Sequence, residues 1–443
     1  MKKILPLLLL CALLLCALLL SACAGSAGGA APAVESKTAG AEAPSDRTVI
    51  ALNGTDAQIS GGGARDTGSE ILISAAGTYE VRGVGQKALV VDTGDDAMDV
   101  TVILDNAEIV CLSGPALHVR QAKHFRLQLS DGSQNRLVSG TEEMLQALDP
   151  EASGAALYSE DDMDIEGTGS LIVCGYLNNG IACKDDLDLN SGEIAVVAAN
   201  NGVKGNDSVQ VKGGSITISA WGDGIKSSTA DKEGKGYVEI SGGSVQIESW
   251  GDGIQAATEL RLTGGSLSVV ARGDGLSGSS KALKAAGDLL LDGCEVQLES
   301  LTDGARSESG SVSVSAGSLT VSAGGDGIQA GEKDSGLGDV SISGGAVEIH
   351  AGKQAVKARG SFAVTGGRVL ALCGSEKQTG PAEGLPWLLC RLSGRAGDSV
   401  SAGSLSLTAG RDYVCLLAVD GALSRGETVS VTNGSATVEA AVN

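Results

Sequence analysis

Residues 237–257 read YVEISGGSVQIESWGDGIQAA. Val238 and Ile240 alternate with polar residues, Gly242-Gly243 marks a bend, and Val245 and Ile247 alternate again. Gly251-Asp252-Gly253 marks a second bend before Ile254 and Ala256. Each run points inward at every second residue, the signature of a short strand with one buried face. The same pattern recurs as VQVKGGSITISAWGDGIKSS at 209–228, LRLTGGSLSVVARGDGLSGS at 260–279 and VSVSAGSLTVSAGGDGIQAG at 312–331, and in weaker form as VSISGGAVEIHAGKQAVKAR at 340–359. Earlier copies at 163–184 and 187–206 carry Asn where the others carry Asp.

The repeat defines a ladder in which Asn179, Asn201, Asp223, Asp252, Asp274, Asp303 and Asp326 each precede a glycine, at intervals of 22, 22, 29, 22, 29 and 23 residues. A period of 22 with insertions of seven suits a coil whose turns contain three short strands and three bends. The expectation is an all-β chain, a single-stranded right-handed parallel β-helix over residues 47–370 with a small C-terminal β cap over 371–443. The cap would cover edge strands that otherwise invite pairing. Residues 47–138 read as earlier, less regular turns, and 139–153 as a short helical excursion or loop.

Residues 1–23, MKKILPLLLLCALLLCALLLSAC, combine two lysines, a leucine-rich run and Leu20-Ser21-Ala22-Cys23. This is a bacterial lipoprotein signal, with Cys23 the residue to be lipidated. Several acyl chains at Cys23 would hold the protein in the cell membrane with its bulk on the extracytoplasmic face. Residues 24–46 are small and polar and read as a flexible tether.

The net charge is 32 − 54 = −22, spread along the chain without a basic block. That speaks against nucleic acid as a partner and favours cation binding or plain solubility. Aromatic residues make up only 2% against 66 glycines, too little bulk for a globular core but enough for stacked Val, Ile, Leu, Ala and Ser. Seven cysteines follow Cys23 with no metal-binding spacing, and Cys174 and Cys294 sit inside strand patterns as small buried hydrophobes. The expected state is a monomer.

One turn apart in such a coil is about 4.8 Å, so the ladder would stack carboxylate on carboxylate. Two such charges repel by about 3–4 kcal/mol at an effective dielectric near 20. A second acidic row, Asp161-Asp162, Asp185-Asp186 and Asp207, recurs at 24 and 22 residues. Clustered carboxylates suit Ca²⁺, which takes six to eight hard oxygen ligands. The metal candidates are therefore Asp161, Asp162, Asp185, Asp186, Asp207, Asp223, Asp252, Asp274, Asp303 and Asp326. The alternative is that these side chains only cap bends through backbone hydrogen bonds, which Asp and Asn do interchangeably.

Parity places Trp221, Trp250 and Arg272 in one outward row. Two positions after the ladder glycine, a second outward row reads Ala182, Lys204, Lys226, Gln255, Ser277, Arg306, Gln329 and Lys357. Trp221 and Trp250 are candidates to stack on sugar rings, and Lys204, Lys226 and Arg306 to pair with acidic sugars. The alternatives are that the tryptophans pack under the 229–235 excursion and the bases only screen the Asp row. No nucleophile, triad or His-based site emerges, so no catalytic residue is assigned.

The stretch from about 154 to 331, with ALYSEDDMDIEGTGSL, GIACKDDLDLNSG, GVKGNDSVQVKGG and the repeated GDGI, resembles the carbohydrate-binding domain-containing proteins, a family of secreted or lipid-anchored bacterial β-helix proteins. Their fold is similar to that of the calcium-dependent pectate lyases. The resemblance, about two thirds of the chain, implies calcium-dependent binding of plant cell-wall polysaccharide, pectic or cellulose-like, without catalysis. It carries over at Asp161-Asp162, Asp185-Asp186, Asp207, Asp223 and Asp252. Ser208 in place of a second acid, TDGA at 302–305 and the acid-free GKQA at 352–355 depart from it and weaken the C-terminal metal positions. A polysaccharide lyase and a structural or adhesive stalk are the alternative functions.

Overall fold

The computed structural model describes residues 47–95, 97–146, 154–273, 280–332 and 338–443. The signal, Cys23 and the tether lie outside the described residues, as do Asp274 and Ser277. What is described is almost entirely strand, with one 3₁₀ turn at Glu142–Gln146 where a helical excursion is expected.

The repeat folds as its alternation dictates. Tyr237–Ile240, Ser244–Ser249 and Ile254–Ala256 are three consecutive strands. Each pairs in parallel with its counterpart one repeat earlier and one later. Val238 lies against Val209 and Leu260, Ile247 against Ile218 and Val269, and Ile254 against Ile225 and Leu283. The chain thus winds as a β-helix-like coil with three strands per turn. Third strands form a 13-stranded sheet, while first and second strands belong to one 25-stranded sheet.

Inward residues are mainly aliphatic, with buried serines such as Ser227 and Ser249 at strand ends. Val238, Ile240, Val245, Ile247 and Ile254 are at most 3% exposed, and one contiguous core runs from Ile50 to Val419. Burying each such side chain contributes about 1.5–3 kcal/mol, so the aliphatic stack supplies what the scarce aromatics cannot. The bend between first and second strands needs a left-handed residue: Gly214, Gly243 and Gly265, one turn apart, have φ of 84°, 78° and 76°.

Both ends of the coil change pairing mode. At the start, Asp56–Ser60 turns back antiparallel on Arg47–Gly54. At the other end, Arg368–Cys373 takes Cys415–Asp420 antiparallel, which in turn pairs with Trp387–Cys390. A four-stranded antiparallel sheet from Ser399 to Ala441 follows, with its own apolar cluster around Leu388, Val400 and Leu416.

Candidate functional site

The Asp/Asn ladder sits at the bend between second and third strands, and its first role is to hold backbone. Asn179 Oδ1 accepts the Asn201 amide at 3.1 Å, Asn201 Oδ1 the Asp223 amide at 3.1 Å, and Asp223 Oδ1 the Asp252 amide at 2.8 Å. Asp303 serves Asp326 at 2.9 Å and Asp326 serves Gln354 at 3.0 Å. All of these rungs are buried or nearly so. Amides at a bend have no strand partner, and a side-chain oxygen from the previous turn supplies one. Either acid or amide fills the role, which explains why Asn and Asp alternate at one position.

The register corrects one rung. Asp252 Oδ1 accepts the amide of Lys281 at 2.8 Å, and the Gly253 amide is bonded to Lys281 carbonyl oxygen. The rung after Asp252 is therefore Lys281, not Asp274, and the insertion of seven precedes it. The outward row shifts likewise: Gln255 is followed by Lys284, not Ser277, and then by Arg306.

This arrangement answers the charge problem from within the chain. Lys226 Nζ is 2.7 Å from Asp223 Oδ2, Arg306 2.9 Å from Asp303 Oδ2 and Lys357 2.8 Å from Asp326 Oδ2. Lys281, 7% exposed, lies beside Asp252 and opposes the rise that burial imposes on its carboxyl pKa. Four ladder carboxylates thus meet four cations. With one oxygen on an amide and the other facing a cation, Asp223, Asp303 and Asp326 lack the free oxygens Ca²⁺ requires, and the ladder does not fit a calcium site.

The second acidic row is different. It stacks in register, Asp161 with Asp185 and Asp207, and Asp162 with Asp186 and Ser208. Asp161 accepts the Ala122 amide, Asp162 the Asp186 amide, and Asp186 the Ser208 hydroxyl and Lys235. Asp207 takes the Thr229 hydroxyl at 2.8 Å, with Lys232 and Lys235 at 3.6 and 3.7 Å. Asp185 has no polar side-chain partner among the described residues. Burial, then Asp162, Asp207 and Asp161, push its pKa up, with Lys232 opposing them. Among the described residues no three carboxylate, imidazole or thiol groups converge into a metal-holding group.

Trp221 and Trp250 occupy neighbouring turns at the ends of their second strands, half-buried and outside the packed interior. Their rings stack at 4.8 Å between centroids with 27° between planes. Facing surfaces are therefore consumed by each other, leaving edges and the two outer faces for a ligand. Across the ladder, the row on the third strands continues backward from Lys204 through Ala182 to Tyr158 and His118, which stack at 5.1 Å.

The three candidate cations are not equivalent. Lys226 and Arg306 are held by ladder carboxylates, and Arg306 also pairs with Glu332. Lys204 has no anionic partner among the described residues. Burial, then the neighbouring Lys226, lower its pKa. Sequence reasoning missed Lys281 and Lys284 although a signal existed: residues 282–293, ALKAAGDLLLDG, align without a gap on 253–264, GIQAATELRLTG.

Comparison with known proteins gives three results. The profile of the carbohydrate-binding domain-containing protein family matches residues 67–312 and 282–443. A carbohydrate-binding domain-containing protein of Acetivibrio thermocellus is 31% identical over 132 residues, 29% of this chain and 45% of the relative, so the chain spans less than half of that relative's length. The solved structure of a polysaccharide lyase-like protein from C. thermocellum, a gadolinium derivative, is similar over 59% of this chain and 97% of its own, with 27% identity and a TM-score of 0.47.

Proposed function

Because this chain belongs to the family of carbohydrate-binding domain-containing proteins, we propose that it binds cell-wall polysaccharide without catalysis, held at the extracytoplasmic face of the cell membrane by lipid on Cys23. The observation that carries the reading is the half-buried platform along the coil: the Trp221–Trp250 stack on one side of the ladder and, on the other, Lys204, which has no anionic partner among the described residues. Aromatic edges and faces suit sugar rings, and a half-desolvated cation suits a uronate carboxylate. A pectic polymer offers both. Lys226 and Arg306, already ion-paired, contribute less than Lys204. The coil is read as single-stranded and right-handed, supported by one chain supplying every turn and by the handedness of parallel crossovers.

Calcium belongs in this proposal at the second acidic row only. Asp161, Asp162 and Asp185 are the carboxylates that would hold it, supported by the position of Asp185 among like charges that outweigh the opposing Lys232. A bound cation would offset those charges and offer a coordination site to a uronate oxygen.

The test is incubation of the chain from residue 24 onward with polygalacturonate, cellulose and xylan, with and without calcium. Pull-down with no gain in ultraviolet absorbance from an unsaturated sugar supports binding. Growth of that absorbance would show β-elimination and replace the proposal with a lyase. No retention on any polymer would leave the coil a stalk. Replacing Trp221, Trp250 and Lys204 together by Ala should abolish retention while circular dichroism stays that of the parent.

A further inference from the structure

We infer that the last turns of the coil carry a second ligand site, a cleft that takes the carboxylate of a uronic-acid residue. The inference rests on the polysaccharide-binding reading and adds to it a position and a ligand charge. The site lies on the ladder face near residues 303–359, several turns away from the tryptophan pair.

The argument starts from the acid-free turn. Gln354 stands where earlier turns have Asp, and its amide is still held by Asp326 Oδ1 while its own side-chain amide donates to the Lys377 carbonyl at 3.3 Å. The rung is preserved as backbone geometry but has lost its charge. Of the cations around it, Lys357 meets Asp326 of the previous turn, which leaves Lys353 and Arg359 with no ladder carboxylate to meet. Lys353 and Arg359 are both exposed, and neither has a side-chain partner among the described residues.

Both line a cleft of about 270 Å³ together with Arg306 and Lys357. Its acids are all engaged: Asp303 and Glu332 by Arg306, Asp326 by Lys357. Among the described residues, four cations against three carboxylates leave the lining at +1, in a chain whose formal charge is −22. Arg306 Nε is buried without an acceptor, so the guanidinium is one hydrogen bond short.

A second groove of about 390 Å³ adjoins the first, shares Lys357 and Arg359 with it, and has no carboxylate in its lining. A protein this acidic repels polyanions over most of its surface. Two joined grooves with a cationic excess are where an anionic sugar finds attraction and enough room for more than one ring. A compact anion such as inorganic phosphate offers the same charge without the ring, so the two are separated by experiment.

The test is calorimetric titration of the full chain, solubilised in detergent, with an oligogalacturonate, a cello-oligosaccharide and inorganic phosphate. The oligogalacturonate should bind, and Lys353→Ala with Arg359→Ala should weaken it about tenfold or more, the worth of one or two charge-assisted hydrogen bonds. Both side chains are at the surface, and an unchanged melting temperature excludes unfolding. Equal oligogalacturonate affinity in the double variant would overturn the cleft while leaving the polysaccharide reading standing. Binding of the cello-oligosaccharide alone would do the same. Phosphate that displaces the oligogalacturonate and binds as tightly would overturn the sugar assignment. No binding of either sugar would overturn both.

Discussion

Replacing Asp252 separates the two roles of the ladder, backbone acceptor and negative charge. Its Oδ1 lies 2.8 Å from the Lys281 amide in a site where the residue itself is 7% exposed. Asp252→Ala leaves that amide without a partner, which costs about 1–3 kcal/mol. Asp252→Asn keeps the oxygen, as Asn179 and Asn201 do in the same structure. Thermal unfolding followed by circular dichroism should therefore show Ala lowering Tm by several degrees, at about 2–4 °C per kcal/mol for domains of 150–250 residues and less for longer ones. Asn should fall within experimental scatter of the parent at acid pH, where the carboxyl is protonated. Charge adds a second signature. Burial raises the Asp252 pKa above 3.8, so its contribution to stability is present below that pH and is lost as pH rises through the folded value. The Asn variant should thus gain on the parent between acid and neutral pH. Equal losses for Ala and Asn at neutral pH would refute the acceptor argument and make the carboxylate itself the structural element.

Gly224→Ala should destabilise by about 1–3 kcal/mol or more by overpacking, since its Cβ would lie 2.3 Å from Ile247 Cγ2 and 2.5 Å from Gly253 O; an unchanged urea midpoint would show that the turn yields freely. Asp185→Asn should raise Tm at neutral pH without calcium and lose that advantage toward pH 3.8, because the raised pKa withdraws stability as pH increases. If Asp185 holds calcium, the same variant should lose the calcium-induced rise in Tm that Asp223→Asn with Asp252→Asn retains; a rise lost only in the ladder variant would reverse the assignment. Cys373 and Cys415 face each other across antiparallel strands, and the neighbouring Cys415 thiol lowers the pKa of Cys373. Oxidised glutathione should couple them, closing a loop of 415 − 373 = 42 residues and stabilising by up to about 4 kcal/mol; seven titratable thiols after treatment would count against it.

Much of this architecture is legible in the sequence because β-helix turns repeat their instructions. Val238, Ile240, Val245, Ile247 and Ile254 announce their inward faces by alternation, and the register confirms each one. The outward row of Trp221 and Trp250 follows from the same parity. What alternation cannot report is where an insertion enters a turn. GDGL at 273–276 has the local look of a rung, yet the strand register selects Lys281, because Leu283, not Leu276, continues the inward column of Ile225 and Ile254. Nor does sequence show which oxygens are spent. A column of carboxylates reads as a cation trap until the amide of the next turn is seen on one oxygen and a lysine or arginine on the other.

The substitution of lysine for an acceptor in the ladder has a mechanical consequence. Lysine donates but cannot accept, so the clip from turn to turn that begins at Asn179 ends at the Lys281 amide and begins again only at Asp303. The carboxylate clip is accordingly in two runs, joined at the gap by the Thr302 hydroxyl, which donates to the Ser280 carbonyl and accepts its amide. Solenoids open by loss of neighbour coupling, and amide exchange should distinguish a unit ending near Lys281 from one beginning near Asp303, each melting as a block. Pulled from its ends, the chain should yield first at that joint.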